Sequence, residues 1–161
     1  GYYNDPNREC TCPPGAPAKY LQKLSGPLLD RIDIQIETRP VDFDALSDRR
    51  PSESSAAIRE RVIKAREIQL QRFAPYPGIH CNAQMTPRLM KQFAYVEGDA
   101  MKILRQAMIQ RDLSARAYDR ILKVARTIAD LDGSEQISLK HISEAINYRN
   151  LDRSSWGIVS V

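Results

Sequence analysis

One arginine in the N-terminal part of the sequence lies between two apolar segments and beside acidic residues. Arg31 follows two leucines and precedes the alternating isoleucines of IDIQI, and Asp30 and Asp33 flank it. An exposed ion pair with either aspartate contributes less than about 1 kcal/mol. A guanidinium is permanently charged and planar, and it is suited to stabilising the charge of a phosphoryl group. The spacing alone leaves two interpretations open: a surface ion pair, or a cation directed at a group outside the chain.

A second arginine lies in the first turn of a predicted helix. Ser114 is a typical N-cap residue, which places Arg116 at the second helical position. The free N–H groups and the dipole of a helix N-terminus attract anions, so a cation is locally unfavourable there. This position favours a role for Arg116 toward an external anion. Arg120 and Lys123, on the same side of the helix, are interpreted as a solvated basic face.

The N-terminal segment predicts a loop followed by one helix and one strand. The short helix is predicted near 17–30, and the alternating isoleucines predict a β-strand near 32–38. One helix and one strand cannot satisfy the backbone groups of a sheet. Residues 1–40 are therefore expected to be the edge of a larger α/β core.

The sequence after Ser54 predicts helices only. Thr86, Ser114 and Ser138 are predicted N-caps. An apolar stripe is predicted to give the first of these helices a buried face that ends near Phe73; it consists of Ile58, Val62, Ala65 and Ile68. The predicted fold class is mainly α, a helical bundle preceded by the remnant helix and strand.

Composition sets broad limits on the kind of protein. The chain has 161 residues, of which 42% are hydrophobic and 27% charged, as in an ordinary globular protein. Its net charge of +4 suits a polyanionic partner, although solvated lysines and arginines produce the same value. No apolar run reaches membrane-spanning length, and three cysteines argue against a secreted disulfide framework. A cytoplasmic protein with no membrane partner is expected.

Four ordered motifs carry a family resemblance: GYY-D-P-REC-C, SGPLLDRIDI, ESSA-IRERV-AR and LSARAYDRILKVARTIADL. Over residues 1–149 the chain resembles the Mg-chelatase-like AAA+ ATPases of the ComM/YifB type. The resemblance implies the end of the ATPase core at 1–40, a linker at 41–53, a helical lid at 54–149 and a tail at 150–161. The chain contains no G-x-x-x-x-G-K-[ST] phosphate loop, so we expect it to be inactive alone.

The same resemblance implies roles for particular residues. Arg31 would be an arginine finger that reaches the γ-phosphate of ATP in a neighbouring subunit, and Arg116 a second sensor arginine on the phosphates of ATP. The full-length protein would use ATP and Mg²⁺ and form a ring of its own subunits, expected to be hexameric. Cys10 and Cys12, with two family cysteines upstream, resemble a four-thiolate site for zinc. Two free or buried thiols are the alternative for this chain.

Three functions remain open at this point. The ComM type resembles a DNA-remodelling motor that acts in competence and branch migration. A chelatase-type assembly ATPase would use the same ATPase residues. A non-catalytic helical module would bind DNA or protein through the basic face that follows Ser114.

Overall fold

The computed structural model describes residues 1–149 except 4, 6–7, 37, 39–40, 42, 44–46 and 48–49, so the tail predicted at 150–161 lies outside it. The fold is mainly α, as predicted. The described α-helices are α1 (Ala16–Leu21), α2 (Gly26–Leu29), α3 (Ser55–Phe73), α4 (Pro87–Phe93), α5 (Gly98–Gln110), α6 (Ala115–Leu131) and α7 (Leu139–Asn147). A 3₁₀ helix, Asn82–Gln84, lies between α3 and α4. In this part of the chain no helix has the length and apolar character needed to cross a membrane.

The chain divides into two compact units. The first contains the described residues of Gly1–Asp48 and Arg149–Val161, and the second those of Arg49–Tyr148. Arg31 belongs to the first unit and Arg116 to the second. Each unit therefore carries one of the two candidate arginines.

The first unit contains two short helices where the sequence predicted one continuous helix near 17–30. Helix α1 ends at Leu21, and α2 begins after Ser25, whose hydroxyl accepts the N–H of Leu28 at 3.3 Å. Pro27 explains the interruption, because within a continuous helix its ring would clash with the carbonyl of the residue four positions earlier. The single-helix prediction is wrong for this reason.

The strand predicted near 32–38 is absent from the described residues of that stretch. Ile32, Ile34 and Ile36 are all exposed, so the alternation does not produce a buried face here. A strand forms only when a neighbouring strand accepts and donates its backbone hydrogen bonds, and no described segment does so. Alternation identifies a segment suited to a sheet, but the sheet itself has to be present.

Side-chain caps fix the starts of the helices in the second unit. The hydroxyls of Ser54, Thr86 and Ser114 accept the backbone N–H of the residue three positions later, at 3.2, 3.4 and 3.2 Å. At the start of α7, His141 Nδ1 accepts the backbone N–H of Ser138 at 3.0 Å. The predicted N-caps at Thr86, Ser114 and Ser138 are confirmed.

Helix α6 is the central element of the second unit. It packs against α3, α4, α7 and the 3₁₀ helix. Ala117, Ala125 and Ala129 are fully buried on it, and such small side chains let neighbouring helices approach closely. The bundle therefore fixes α6, the helix whose first turn carries Arg116.

Only the C-terminal half of α3 packs into the bundle. Its buried residues are Ala65, Gln69 and Phe73, whereas Ile58 and Val62 remain exposed. The predicted buried stripe is thus wrong for the first half of this helix. The reason is geometric, because the 19-residue helix extends beyond the helices that could cover its first turns.

Asp132, just after α6, gives a pH-dependent contribution to stability. Its carboxylate accepts hydrogen bonds from Lys140 at 2.6 Å, from His141 Nε2 at 3.1 Å and from Ser134 at 2.9 Å. The hydrogen bond from Lys140, followed by those from His141 and Ser134, lowers the pKa of Asp132 below its ordinary value. The stabilisation is present above the ordinary aspartate pKa, about 3.9, and is lost as pH falls below it.

We therefore expect the free energy of unfolding to decrease below about pH 4, and the decrease to be smaller in Asp132→Asn. Urea unfolding of the 161-residue chain between about pH 6 and pH 2 measures this. Asp119→Asn, at an exposed position of α6, is the control and should keep the wild-type pH dependence. If the free energy of unfolding depended on pH in the same way in Asp132→Asn and in wild type, the pH-dependent role of the Asp132 carboxylate would be contradicted.

Candidate functional site

Arg31 directly follows α2 in a hydrogen-bonded turn. Its backbone N–H donates to the carbonyl of Leu28 at 3.0 Å, and its side chain is exposed. Within the described residues its guanidinium has no ion pair with Asp30 or Asp33. The surface ion pair that the sequence left open is therefore not formed, and the cation is accessible to a group outside the chain.

A tight connection places Arg116. Helix α5 ends at Gln110, and the N–H of Leu113 donates back to the carbonyl of Met108 at 3.0 Å. Asp112 adopts a left-handed conformation with φ 46°, which closes this C-cap. Ser114 then caps α6, so Arg116 lies in its first turn and its exposed guanidinium has no ion-pair or hydrogen-bond partner in the described residues.

The basic face predicted along α6 does not form as expected. Lys123 is half-buried, and its ammonium donates to the backbone carbonyl of Ala83 at 2.8 Å. The side chain therefore links the 3₁₀ helix to α6 through this hydrogen bond. Arg120 is also half-buried, which leaves Arg116 as an exposed cation at the start of the helix.

Sequence reasoning missed a buried polar cluster at the other end of α6. Asp130 is 2% exposed and accepts hydrogen bonds from Arg72 at 2.8 Å, from Arg126 at 3.0 Å and from Asn82 at 2.7 Å. Arg126 also donates to the carbonyls of Ser134 and Glu135. Asp130 thus joins α3 and the 3₁₀ helix to α6, and Arg126 joins them to the turn after α6.

Burial and pairing set the charge balance of this cluster. Burial lowers the pKa of the Arg126 guanidinium, and the carboxylate of Asp130 opposes that change. Two guanidiniums share one carboxylate, so their positive charges are compensated by the negative charge of Asp130. The cluster lies about 20 Å along α6 from Arg116, at about 1.5 Å per residue, and it supports the orientation of this helix.

The helical pattern of α6 contains a signal for this cluster. Arg126 and Asp130 are four residues apart and share the face of Ala125 and Ala129. Polar residues on an otherwise apolar face are expected to pair with each other. Arg72 of α3 is the third charged residue of the cluster and pairs with Asp130.

Cys10 and Cys12 lie together in the first unit, and neither is in a disulfide. Both are half-buried, and a Cβ atom on Gly1 would lie 3.6 Å from the sulfur of Cys10 and 2.5 Å from that of Cys12. No group of three or more histidine, cysteine or acidic side chains suited to a metal occurs among the described residues. The two thiols are thus brought together, and the described residues offer at most two ligands there.

Two family models match the chain. The model described as "Magnesium chelatase, subunit ChlI C-terminal" matches residues 52–149, and the one described as "Magnesium chelatase, subunit ChlI" matches residues 1–46. Together they match most residues of each unit and confirm the resemblance inferred from the motifs.

Curated relatives support the same family. An uncharacterized protein YifB of Escherichia coli is 39% identical over 155 residues, 95% of this chain and 29% of the relative. The competence protein ComM of Haemophilus influenzae is 41% identical over 138 residues, 84% of this chain and 26% of the relative. Rv2897c of Mycobacterium tuberculosis is 36% identical over 142 residues, 88% of this chain and 28% of the relative. The chain thus spans less than a third of the length of these relatives, and on these matches it belongs to the magnesium chelatase subunit ChlI family of AAA+ ATPases.

Proposed function

We propose that the full-length protein is a ring-forming ATPase motor and that this chain supplies two of its phosphate-contacting arginines. The observation that carries the proposal is that Arg31 and Arg116, the arginines of the LLDR and SAR motifs, are both exposed and have no partner among the described residues. Long cationic side chains without internal partners are available to an anionic ligand. ATP with Mg²⁺ is the ligand proposed from the family.

Each arginine has a distinct proposed role. Arg116 contacts the phosphates of ATP bound to its own subunit, where the N–H groups of the α6 N-terminus also favour an anion. Arg31 reaches the γ-phosphate in a neighbouring subunit and stabilises the charge that spreads over its oxygens during transfer. Hydrolysis at subunit interfaces would thereby require a ring.

We propose DNA as the polymer on which the motor acts. One relative bears the name competence protein, and the net charge of +4 is compatible with a polyanion. The non-catalytic DNA-binding module is less well supported, because Lys123 of its basic face is bonded within the bundle. A chelatase-type assembly ATPase is the second candidate function. The descriptions of the two family models favour it.

The sensor role predicts a defect in the full-length protein that carries Arg116→Ala. A hydrogen bond to a charged group is worth about 1.5–3 kcal/mol, so we expect ATP turnover to fall about 10- to 100-fold. Arg105→Ala, at an exposed arginine of α5, is the matched control and should retain turnover. Equal turnover in both variants would contradict the role of Arg116.

Stimulation by DNA separates the two candidate functions. Turnover of the wild-type full-length protein is measured with and without single-stranded DNA at several salt concentrations. A DNA-remodelling motor is stimulated, and the stimulation decreases with salt because phosphate contacts release counterions. Turnover that does not respond to DNA would favour the chelatase-type ATPase.

A further inference from the structure

A buried arginine of the first unit bonds to the backbone beside Arg31. Arg149 belongs to this unit and is 4% exposed. Its Nη1 atom donates to the carbonyl of Ile32 at 2.8 Å, although the two residues are 117 positions apart in the sequence. Ile32 directly follows Arg31, the proposed arginine finger. The guanidinium of Arg149 therefore contacts the turn that carries the exposed guanidinium of Arg31.

The segment that carries Arg31 is too short to hold its own position. Helix α2 contains four residues, and the cost of nucleation makes a helix of this length unstable by itself. The N–H of Ile32 donates to the carbonyl of Leu29 at 3.1 Å, one position after the similar bond of Arg31. Both bonds are local, so they shape the turn without fixing where it points.

Two side chains fasten this turn at successive points. Gln35 Nε2 donates to the carbonyl of Leu29 at 3.1 Å, and Leu29 is the buried residue of α2. Arg149 binds the carbonyl of Ile32, so that both the N–H and the carbonyl of Ile32 are bonded. The backbone before and after Arg31 is thus held, while the side chain of Arg31 stays exposed.

Arginine is a costly residue for a contact with one backbone carbonyl. Burial removes water from a permanently charged group, whereas a neutral amide would donate to the same carbonyl with a smaller loss of hydration. In return, the hydrogen bond from a charged donor is stronger than a neutral one, and the planar guanidinium fixes its direction. These properties suit a contact that has to hold a backbone segment in one place.

We propose that Arg149 is a positioning residue, which holds the turn after α2 so that Arg31 reaches the γ-phosphate in the neighbouring subunit. This inference rests on the proposed function of Arg31. A misplacement of about 1 Å costs about 100-fold in rate, so ATP turnover of the full-length protein should fall about 10- to 100-fold in Arg149→Met. Methionine keeps the length of the side chain but cannot donate. Binding of ATP should change little, because Arg31 acts on charge that develops during transfer.

Mixed rings separate positioning from a general loss of structure. An equal mixture of Arg149→Met with the variant that lacks the phosphate-loop lysine should regain turnover, because the second variant supplies a correctly placed Arg31. An equal mixture of Arg149→Met with Arg31→Ala should not regain it, because neither variant supplies one. Recovery in both mixtures, or in neither, would overturn the proposal. If Arg31→Ala recovers with the phosphate-loop variant and Arg149→Met does not, the proposal fails while the proposed function stands.

Hydrogen exchange tests the contact itself, whether or not Arg31 acts on a nucleotide. Peptides that cover residues 28–36 are followed by mass spectrometry in the full-length wild type and in Arg149→Met. The N–H groups of Arg31 and Ile32 should exchange about 10- to 100-fold faster in the variant, because a charged hydrogen bond is lost. Exchange in α6 should not change, which shows that the second unit is folded. Unchanged exchange over residues 28–36 would overturn the proposal.

Two further variants complete the test. Arg149→Lys keeps a charged donor, so its turnover and exchange should lie between those of wild type and Arg149→Met, and it serves if the methionine variant is unstable. Arg66→Ala is the matched control, because it removes an arginine that donates to the side chain of Gln69 at 3.4 Å in α3. It should change neither turnover nor exchange over residues 28–36. A loss in Arg66→Ala equal to that in Arg149→Met would overturn the proposal.

Discussion

ATP turnover of the full-length protein should fall by about a thousand- to a hundred-thousand-fold when Arg31 is replaced by alanine. The expected loss is this large because an arginine finger acts only on the charge that develops during phosphoryl transfer. Binding of ATP should change far less, because the charge that Arg31 stabilises develops only during transfer and not in the bound ground state. Steady-state turnover and equilibrium binding of ATP measure the two effects separately.

Lys23→Ala is the matched control for this prediction. Lys23 is an exposed cation of the same unit, whose ammonium lies 5.6 Å from the ring centre of Tyr20. Its removal should leave turnover within a few-fold of wild type, as expected for a surface residue. Normal turnover in Arg31→Ala would reduce Arg31 to an ordinary surface cation.

The largest expected effect on stability comes from Asp130→Asn. The asparagine keeps the size of the side chain but removes the charge that Arg72 and Arg126 share. Arg126 is only 2% exposed, so its charge would remain buried without compensation. Breaking a buried pair in this way costs about 3–5 kcal/mol. Urea unfolding of the chain at neutral pH measures the loss.

An exposed ion pair gives the scale against which this loss is judged. Glu60 and Lys64 form an i,i+4 pair on the surface of α3, and both side chains are 69% exposed. Glu60→Gln should therefore leave the urea midpoint of unfolding close to that of wild type, because solvent screens an exposed pair. If Asp130→Asn cost no more than Glu60→Gln, the cluster would not be the clamp between α3 and α6 that the geometry indicates.

Local signals in the sequence predicted the second unit well. The starts of α4 and α6 follow from Thr86 and Ser114, because a capping hydroxyl and the residues after it are close in sequence. The strand near 32–38 needs a partner strand, which a local pattern does not supply. The exposure of the first half of α3 was not predictable for a similar reason. Burial of a helix face depends on which other helices pack against that face.

The roles of the candidate arginines stay a prediction, and they rest on a different kind of signal. Arg31 and Arg116 were identified through motifs, because spacing alone did not distinguish a surface cation from a phosphate ligand. The cluster around Asp130 was missed because charged residues are usually exposed and Arg72 is 58 positions away in the sequence. Such long-range pairing becomes visible only when the helices are assembled.

The central claim is that Arg31 acts across a subunit interface, and a mixing experiment tests it most directly. Arg31→Ala is mixed in equal amounts with a full-length variant that lacks the lysine of the phosphate loop, and ATP turnover is compared with that of each variant alone. In a mixed ring, an intact nucleotide site of one variant meets the intact Arg31 of the other. We predict that each variant alone is inactive and that the mixture regains part of the wild-type turnover. A mixture of two inactive variants that stays inactive, although subunit exchange is demonstrated, would contradict the claim.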